Sequence, residues 1–253
     1  MNKQRFNHRT MAILFATLIF ASGTTIAAEK TRKTNRSRKP NTLTQRQTKQ
    51  GFKLLFDGKS LENFKAIKGD TISTDCWVVK DGQIISTPRA SRPEGAQGSI
   101  VTREQYANFD LRFNYKLDPD FKGNVNSGIK YFAYPGTELG LEYQLYDHDK
   151  DVKGSHALAD LYDILPAKEQ AARPRGRWNR VRIVAQGNHV EHWLNGKKVL
   201  EFERGSVQFR AAVAKSKFKD RDKFGEAERG HILLQDHGGG IAFRNIKIKV
   251  TDG

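Results

Sequence analysis

Residues 230–250 read GHILLQDHGGGIAFRNIKIKV, and this stretch decides the fold class of the chain. Apolar and polar residues alternate on both sides of three glycines at 238–240. Alternation at period two is typical of half-buried β-strands, and glycines permit the positive φ of a tight reversal. The pattern predicts a strand pair in which Gln235 and His237 share one face, opposite Leu234, where they could meet a ligand.

Short alternating segments separated by turn signals continue along the chain from residue 51. This spacing favours an all-β sandwich or barrel over βαβ units, and Asp81-Gly82 and Asn195-Gly196 are strong hairpin signals. Two short helices are expected over 167–172 and 222–227. Strands are expected over residues 52–56, 77–80, 83–86, 99–102, 109–117, 128–134, 141–146, 178–185, 189–194 and 198–202.

The first fifty residues differ in composition from the rest. Residues 1–28 combine a basic start with a short apolar run and small residues, which predicts a secretory signal peptide and a periplasmic or secreted protein; an uncleaved N-terminal anchor is the alternative. Residues 29–50 contain almost no apolar side chain, so we predict a disordered basic linker. Residues 1–50 hold eleven Lys or Arg and one acid, and therefore supply most of the net charge of +16.

This basic tail could hold the protein loosely near an anionic membrane or a cell wall. A signal for export argues against a nucleic-acid partner. The single cysteine, Cys76, excludes an intramolecular disulfide, and residues 51–253 are long enough to form one core without such a bond. We therefore expect one folded domain over residues 51–253.

Six fragments from residue 51 onward together resemble a known family. They are GFKLLFDGKSLENF at 51–64, WVVKDGQIIS at 77–86, NSGIKYF at 126–132, GLEYQLYD at 140–147, RWNRVRIVAQGNHVEHWLNG at 177–196 and LLQDHGGGIAFRNIKIK at 233–249. In this order they are similar to the bacterial DUF1080 family, also called the 3-keto-disaccharide hydrolase domain. The resemblance implies a concanavalin A-like β-sandwich, a jelly roll of two antiparallel sheets with long loops.

The resemblance also implies chemistry outside the cytoplasm on sugars whose C3 hydroxyl has been oxidised to a ketone. One position departs from the family: many members carry Arg where this chain has Phe132. Lys130 is expected on the same face of its strand as Phe132, so it could replace that substrate contact.

The strand over residues 141–146 offers a candidate acid. Glu142 and Gln144 point one way and Leu141 and Leu145 the other, and we expect the leucines to face the core. A glycosidase with two carboxylates needs a second acid roughly 5–9 Å away. Gln144 cannot act as an acid or a nucleophile, and Asp147 is expected on the opposite face of the strand. A loop acid such as Asp160 would therefore have to complete the pair.

Cleavage of a 3-keto sugar does not need two carboxylates, because its ketone acidifies the hydrogen on C2. One base can remove that proton, the enolate expels the group on C1, and water then adds to the enone. Glu142 or His237 could be the base, and Lys130 or a bound metal could stabilise the oxyanion. Further substrate contacts are expected from Gln144, Gln235, Asp147, His156, Asp160, Tyr162 and Trp193.

A divalent metal is a candidate cofactor. His148, His156, Asp160 and His237 are suitable ligand types, although no compact two-histidine motif occurs. His189 and His192, in contrast, are expected on the surface or on an edge strand.

Two long segments, 147–174 and 204–229, lack strand alternation, and loops of that length often have a function. The second is strongly charged, which also fits a solvated loop. The leading interpretation is an exported enzyme that cleaves an oxidised mono- or disaccharide glycoside. The alternatives are a non-catalytic, lectin-like carbohydrate-binding module and a surface interaction protein that acts through its basic tail.

Overall fold

The structure is a computed structural model, and it describes residues 39–96, 98–147, 154–169 and 172–251. The predicted signal peptide, residues 29–38 of the predicted linker and His148 lie outside the described residues. In the part of the chain that is described, no helix is long and apolar enough to cross a bilayer.

Two antiparallel sheets face each other, as the sequence predicts. The larger sheet has eight strands and the smaller has five. The strands of the larger sheet are β1 (Phe52–Leu54), β3 (Trp77–Lys80), β4 (Gln83–Ser86), β6 (Phe109–Leu117), β9 (Asn179–Gln186), β10 (His189–Leu194), β11 (Lys197–Glu203) and β13 (Ile241–Val250). The smaller sheet contains β2 (Phe64–Ala66), β5 (Ile100–Thr102), β7 (Asn126–Ala133), β8 (Leu141–Tyr146) and β12 (His231–Leu234).

The turn signals in the sequence predict the local pairings correctly. Strands β3 and β4 pair across Asp81-Gly82, and β9, β10 and β11 form an antiparallel meander that turns at Asn195-Gly196. Both residues of each dipeptide have positive φ, as a two-residue hairpin requires. Strand β2 was not predicted, because its three residues are too short to show alternation.

The predicted hairpin at residues 238–240 is wrong. Strand β12 belongs to the smaller sheet and β13 to the larger one, so the chain crosses between sheets here instead of reversing within one. The three glycines still need their positive φ of 104°, 103° and 78°. At Gly239 a Cβ would lie 2.5 Å from the Cα of Pro88, so the crossing also depends on close backbone approach.

The ordered domain begins before residue 51, which corrects the predicted linker boundary. Asn41 is buried and exchanges backbone-to-side-chain hydrogen bonds of 2.6 and 2.7 Å with Asn245 on β13. Its amide also donates to the carbonyl oxygen of Gly82 at 2.8 Å. Helix α1 (Gln45–Lys49) follows, with a capping box formed by Thr44 and Gln47. Residues 39–50 thus form an arm tied to the larger sheet, although their composition predicts disorder.

The predicted helices do not form where they were expected. The described residues of 167–172 and of 222–227 are not helical, whereas α2 occupies Val207–Val213. Ser206 caps α2, since its side chain accepts the backbone N–H of Phe209 at 3.1 Å. Buried Phe209 and Val213 attach the helix to the core.

The core lies between the sheets and is filled by their inward-facing side chains. Leu111, Phe113 and Phe243 come from the larger sheet and Ile129 and Leu145 from the smaller one; all are at most 2% exposed. In β9 and β10 of the larger sheet, buried residues alternate with more exposed ones, as the sequence pattern predicts, whereas β5, β7, β8 and β12 of the smaller sheet are buried on both faces.

Strand β7 breaks that alternation at one residue, which overturns the expectation that Lys130 and Phe132 share a face. Phe132 has a φ of 51°, and the register against β12 shifts nearby. Its ring turns into the core beside Phe109 and lies 3.8 Å from the guanidinium carbon of Arg204. Lys130 remains on the outer face, so β7 presents a cation to the outside while Phe132 fills the core.

Candidate active site

A small cavity lies on the outer face of the smaller sheet. Its volume is about 110 Å³. Strands β7 and β8, the segment after β12 and the two long loops supply its lining, which is Asn126, Lys130, Glu142, Gln144, Tyr162, Lys217, Gln235 and His237. Six of these eight residues are among those proposed from the sequence.

Glu142 and Lys130 form the floor of the cavity. They are opposite each other on β8 and β7, and the Nζ of Lys130 lies 3.6 Å from the Oε2 of Glu142. The Lys130 ammonium also donates to the carbonyl oxygen of Glu138 at 2.9 Å. Glu142 and Lys130 are 6% and 8% exposed, so this ion pair is largely shielded from water.

Strand alternation explains why Glu142 reaches the cavity. Leu141, Tyr143 and Leu145 are fully buried in the core, so their neighbours must face outward. Gly128 faces Gln144 across the strand pair, and a Cβ at Gly128 would lie 2.1 Å from the Oε1 of Glu142. The missing side chain of Gly128 therefore makes the space in which the carboxylate of Glu142 lies.

Burial raises the pKa of the Glu142 carboxyl above its ordinary value of 4.5. The cations of Lys130 and Lys217 oppose this rise, but the loss of solvation outweighs them. A carboxylate whose pKa is raised toward neutrality is better suited to accept a proton near physiological pH.

Gln144 lies beside Glu142 and has one hydrogen-bonding atom to spare. Its amide nitrogen is 3.4 Å from the Oδ1 of Asn126 and 3.3 Å from the carbonyl oxygen of His156. Its Oε1 is buried and has no hydrogen-bond partner. A buried acceptor without a partner is costly, so this atom is well placed to receive a hydroxyl of a ligand.

His237 and Gln235 form the side of the cavity that comes from the segment after β12. The backbone of Gln235 bonds to Gly128, and its carbonyl accepts the hydroxyl of Ser127 at 2.8 Å. The Nε2 of His237 lies 3.5 Å from the amide nitrogen of Asn126. His237 is exposed, so an imidazole at the rim faces a carboxylate at the floor.

The first long loop is attached to the free edge of β8. Backbone bonds of 2.9–3.1 Å join Ala159 to Gln144, Gln144 to Asp160 and Tyr162 to Glu142. Asp160 does not line the cavity, because its two oxygens accept the backbone N–H groups of Ala157 and Ala167 at 2.8 and 2.7 Å. Burial raises its pKa to about 6, and these two bonds oppose the rise. Asp160 holds the loop that delivers Tyr162 and is not a second acid in the cavity.

The second long loop brings Lys217 over the cavity. The backbone N–H of Lys217 donates to the Oδ2 of Asp163 at 2.7 Å, and its ammonium lies 4.2 Å from the ring centre of Tyr162. Asp163 also holds His156, whose Nε2 is 2.7 Å from its Oδ1. Asp163 therefore joins the two loops at the cavity rim.

Four residues proposed as substrate contacts do not line the cavity. Asp147 is buried in an ion pair with Arg175, and Asp160 is used inside its loop. His156 stacks on Tyr162 with ring centres 4.8 Å apart, so it supports the cavity from behind. Trp193 lies on β10 of the larger sheet, with its Nε1 donating to Glu191 at 2.8 Å.

Two lining residues, Asn126 and Lys217, were not among the predicted catalytic or substrate-binding residues. Asn126 begins β7 and lies an even number of residues before Lys130. Strand alternation therefore predicts that the two side chains share a face. Lys217 belongs to a run of basic residues at alternate positions, and only the contacts with Tyr162 and Asp163 distinguish it from its neighbours.

The predicted metal ligands do not come together in the described residues. His156 pairs with Asp163, Asp160 bonds to its own loop, and His237 alone lines the cavity. The described residues contain one group of three with metal-binding atoms within 4.8 Å, His189, Glu191 and Glu201 on the larger sheet. The ammonium of Lys198 already pairs with both of these glutamates.

His192 is a core residue, which corrects its assignment to the surface. It is 0% exposed, its Nδ1 donates to the carbonyl oxygen of Ala159 at 2.9 Å, and its Nε2 therefore accepts the hydroxyl of Tyr131 at 2.8 Å. Burial lowers its pKa to about 4, so the ring is neutral at physiological pH. Through Ala159, His192 fixes the loop that carries Tyr162.

Comparison with known proteins shows what the chain resembles. A family model described as the 3-keto-alpha-glucoside-1,2-lyase-like domain matches residues 51–249. A 3-keto-disaccharide hydrolase from Bacteroides thetaiotaomicron is 31% identical over 235 residues, which cover 80% of this chain and 79% of the relative.

Solved structures agree with this result. A candidate glycosyl hydrolase from Parabacteroides distasonis has a TM-score of 0.74 at 29% identity, covering 85% of this chain and all of the other. A second candidate glycosyl hydrolase from the same organism has a TM-score of 0.62 at 27% identity, covering 79% of this chain and 99% of the other.

The buried carboxyl of Glu142 should make the stability of the fold depend on pH in a definite direction. A raised pKa means that the folded chain holds this proton more tightly than the unfolded chain, so its stabilising contribution is present below about pH 4.5 and is lost as the pH rises through the folded-state value. We expect Glu142→Gln to raise the free energy of unfolding at pH 8 relative to the parent chain, with the difference shrinking toward pH 4.5.

Urea unfolding of both proteins at the two pH values measures this difference. Glu201→Gln, which changes an exposed carboxylate on the larger sheet, is the control and should show little change. A Glu142→Gln variant that is less stable than the parent at pH 8, with a smaller loss of stability at pH 4.5, would contradict the raised pKa of Glu142.

Proposed function

Because the chain belongs to the 3-keto-alpha-glucoside-1,2-lyase-like domain family, we propose that this carbohydrate-active hydrolase cleaves the glycosidic bond of 3-keto-glycosides. The observation that carries the proposal is the convergence of one buried carboxylate, two ammonium groups and one imidazole in a single cavity. Among the described lining residues Glu142 is the one carboxylate, so the cavity suits a reaction that needs one base.

The reaction proceeds by elimination followed by hydration. The carboxylate of Glu142 removes the hydrogen on C2 as a proton, and the electron pair of that C–H bond forms an enolate with the C3 oxygen. When the C3 carbonyl re-forms, a double bond forms between C1 and C2 and the bond from C1 to the leaving oxygen breaks. The leaving oxygen takes a proton, and water adds across the enone to give the free 3-keto sugar.

The cations stabilise the charge that develops on the C3 oxygen. Lys130 approaches the cavity from its shielded floor, and Lys217 from its exposed rim, where Asp163 and Tyr162 hold it. Ammonium groups fixed near a developing oxyanion lower the barrier more than solvated ones, because they need no reorganisation during the step. His237, exposed at the rim, is suited to protonate the leaving oxygen as the aglycone departs.

Gln144, Gln235 and Tyr162 bind the sugar in this proposal. The unpaired Oε1 of Gln144 accepts a hydroxyl of the sugar. The ring of Tyr162 contacts His156 and Lys217, so Tyr162 meets the sugar through its edge and hydroxyl. A mechanism with two carboxylates receives no support from the cavity, because Asp160 bonds to backbone amides of its own loop and Asp147 pairs with Arg175.

We further propose that the protein acts outside the cytoplasm, since residues 1–28 have the composition of a secretory signal. Fractionation of cells that produce the chain tests this point: recovery in the periplasm or medium is expected, and retention of the whole pool in the cytoplasm would overturn it.

Replacing the base should abolish turnover without abolishing binding. We expect Glu142→Gln to reduce kcat on a 3-keto disaccharide by roughly 10³-fold or more, because general-base catalysis contributes factors of this size. Product mass measured for the oxidised disaccharide and its unoxidised parent, with and without a chelator, follows the reaction. Glu138→Gln is the matched control: it removes a carboxylate near Lys130 that does not line the cavity, and most activity should remain.

An unchanged rate in Glu142→Gln would remove Glu142 from the mechanism. Binding of both sugars by the parent chain, with release of neither aglycone, would instead favour a lectin-like module.

Lys217 should matter to the chemical step, unlike other cations of its loop. We expect Lys217→Met to lower kcat by roughly 10²-fold with a smaller effect on KM, the size reported for one oxyanion-stabilising donor. Lys215→Met changes an exposed lysine two residues away and serves as the control. Equal effects of the two substitutions would show that Lys217 has no special role.

A further inference from the structure

A second and larger concavity lies on the other side of the fold, on the outer face of the larger sheet. Its volume is about 640 Å³, within the range of pockets that hold small ligands. Side chains of β6, β9, β10 and β13 form its floor, and the N-terminal arm of residues 39–50 forms one wall. This groove shares no lining residue with the cavity that contains Glu142.

The groove is strongly positive. Its described lining contains five cations and no carboxylate: Lys39, Arg112, Arg180, Arg182 and Lys247. Asp110, at its edge, accepts from the guanidinium groups of Arg112 and Arg182 at distances of 2.7–3.1 Å. One carboxylate therefore orients two arginines, and the groove keeps a net positive charge.

An aromatic ring and neutral polar groups accompany these cations. Register across the strands places Trp193 opposite Arg182, Arg182 opposite Arg112, and Arg112 opposite Lys247, so the four side chains form one row across the sheet. The guanidinium carbon of Arg182 is 5.3 Å from the ring centre of Trp193. Thr44, Gln47 and Asn114 add hydroxyl and amide groups to the lining.

We propose that this groove binds an acidic oligosaccharide, a glycan whose sugars carry carboxylates. Cations without lining carboxylates select an anion, and arginine forks match carboxylates. The partly exposed Trp193, beside amides and hydroxyls, is suited to a pyranose.

A glycan fits the groove better than a membrane surface does, because the cations line a concavity instead of a protruding patch. The choice of a glycan over other anions rests on the proposed function. The site itself stands apart from it, since the groove and the catalytic cavity lie on different sheets. The groove would hold the enzyme on an acidic glycan while the cavity acts on an oxidised sugar.

Calorimetric titration of the full chain with an oligogalacturonate tests the proposal. Two variants probe the groove: a double substitution, Arg180→Gln with Lys247→Gln, which leaves the Asp110 pairs intact, and Trp193→Ala. We expect the double variant to weaken binding about tenfold or more and to flatten its salt dependence. Trp193→Ala should weaken it about fivefold or more at unchanged salt dependence.

Three controls separate the groove from other sources of binding. Lys68→Ala removes an exposed cation outside the groove and should bind like the parent. Replacement of the five basic residues at 30–38 by Gln should retain the groove-dependent binding. Glu142→Gln should bind the oligogalacturonate normally, so a failure of the proposed catalysis would not be mistaken for a failure of the groove.

The ligand class is tested with a neutral maltooligosaccharide, a single-stranded oligonucleotide and anionic phospholipid vesicles. Weaker binding of all three than of the oligogalacturonate is expected, and tighter binding of any of them would overturn the proposal. Equal affinity of the groove variants and the parent would also overturn it. If a groove variant melts at a lower temperature than the parent, tryptophan fluorescence supplies the same information. Titration of the parent with the oligogalacturonate should change the fluorescence, and Trp193→Phe should abolish this change. A change that persists in Trp193→Phe would contradict binding in the groove.

Discussion

The site depends on the burial of one carboxylate beside a cation on the outer face of a sheet. Glu142 lies where Gly128 leaves room, and Lys130 approaches from the neighbouring strand to 3.6 Å. Removing both charges from water is costly, and the attraction between them recovers only part of that cost. Burial raises the pKa of Glu142 in spite of two nearby cations, so the loss of solvation outweighs their attraction.

The rest of the molecule supports that arrangement. The core fixes β8 through Leu141, Tyr143 and Leu145, which leaves Glu142 and Gln144 no inward position. The first long loop bonds to the edge of β8, where Asp160 and the neutral His192 hold it. Through these contacts a strand edge that would otherwise be exposed becomes one wall of the cavity.

Period-two alternation and turn signals predicted an all-β sandwich or barrel, the hairpins at Asp81-Gly82 and Asn195-Gly196, and the face of β8 that carries Glu142 and Gln144; the family resemblance selected the sandwich. Alternation also placed Gln235 and His237 on one face of the segment after β12. Alternation could not show that β12 and β13 belong to different sheets, because glycines permit a reversal and a crossing equally well. Composition predicted disorder for residues 39–50, whereas hydrogen bonds from the single residue Asn41 tie this arm to β13.

The polar partners were less predictable than the strands. Asp147 and Asp160 had suitable chemistry for the site, but a partly buried arginine and two backbone amides use their oxygens. Phe132 enters the core because its φ is positive, and the residue pattern of β7 does not predict this backbone conformation. Lys217 reaches the cavity because Asp163, far away in sequence, fixes the turn of the second loop. Such contacts join distant segments, so they follow from the fold and not from local sequence.

The most direct test of the role given to Glu142 is the fate of the hydrogen on C2. A 3-keto disaccharide carrying deuterium at C2 is converted in ordinary water, and the mass of the released 3-keto sugar is measured. Elimination and hydration predict loss of the deuterium to solvent, together with a slower rate than for the unlabelled substrate. Release of the sugar with the deuterium fully retained and with no change in rate would contradict proton abstraction from C2.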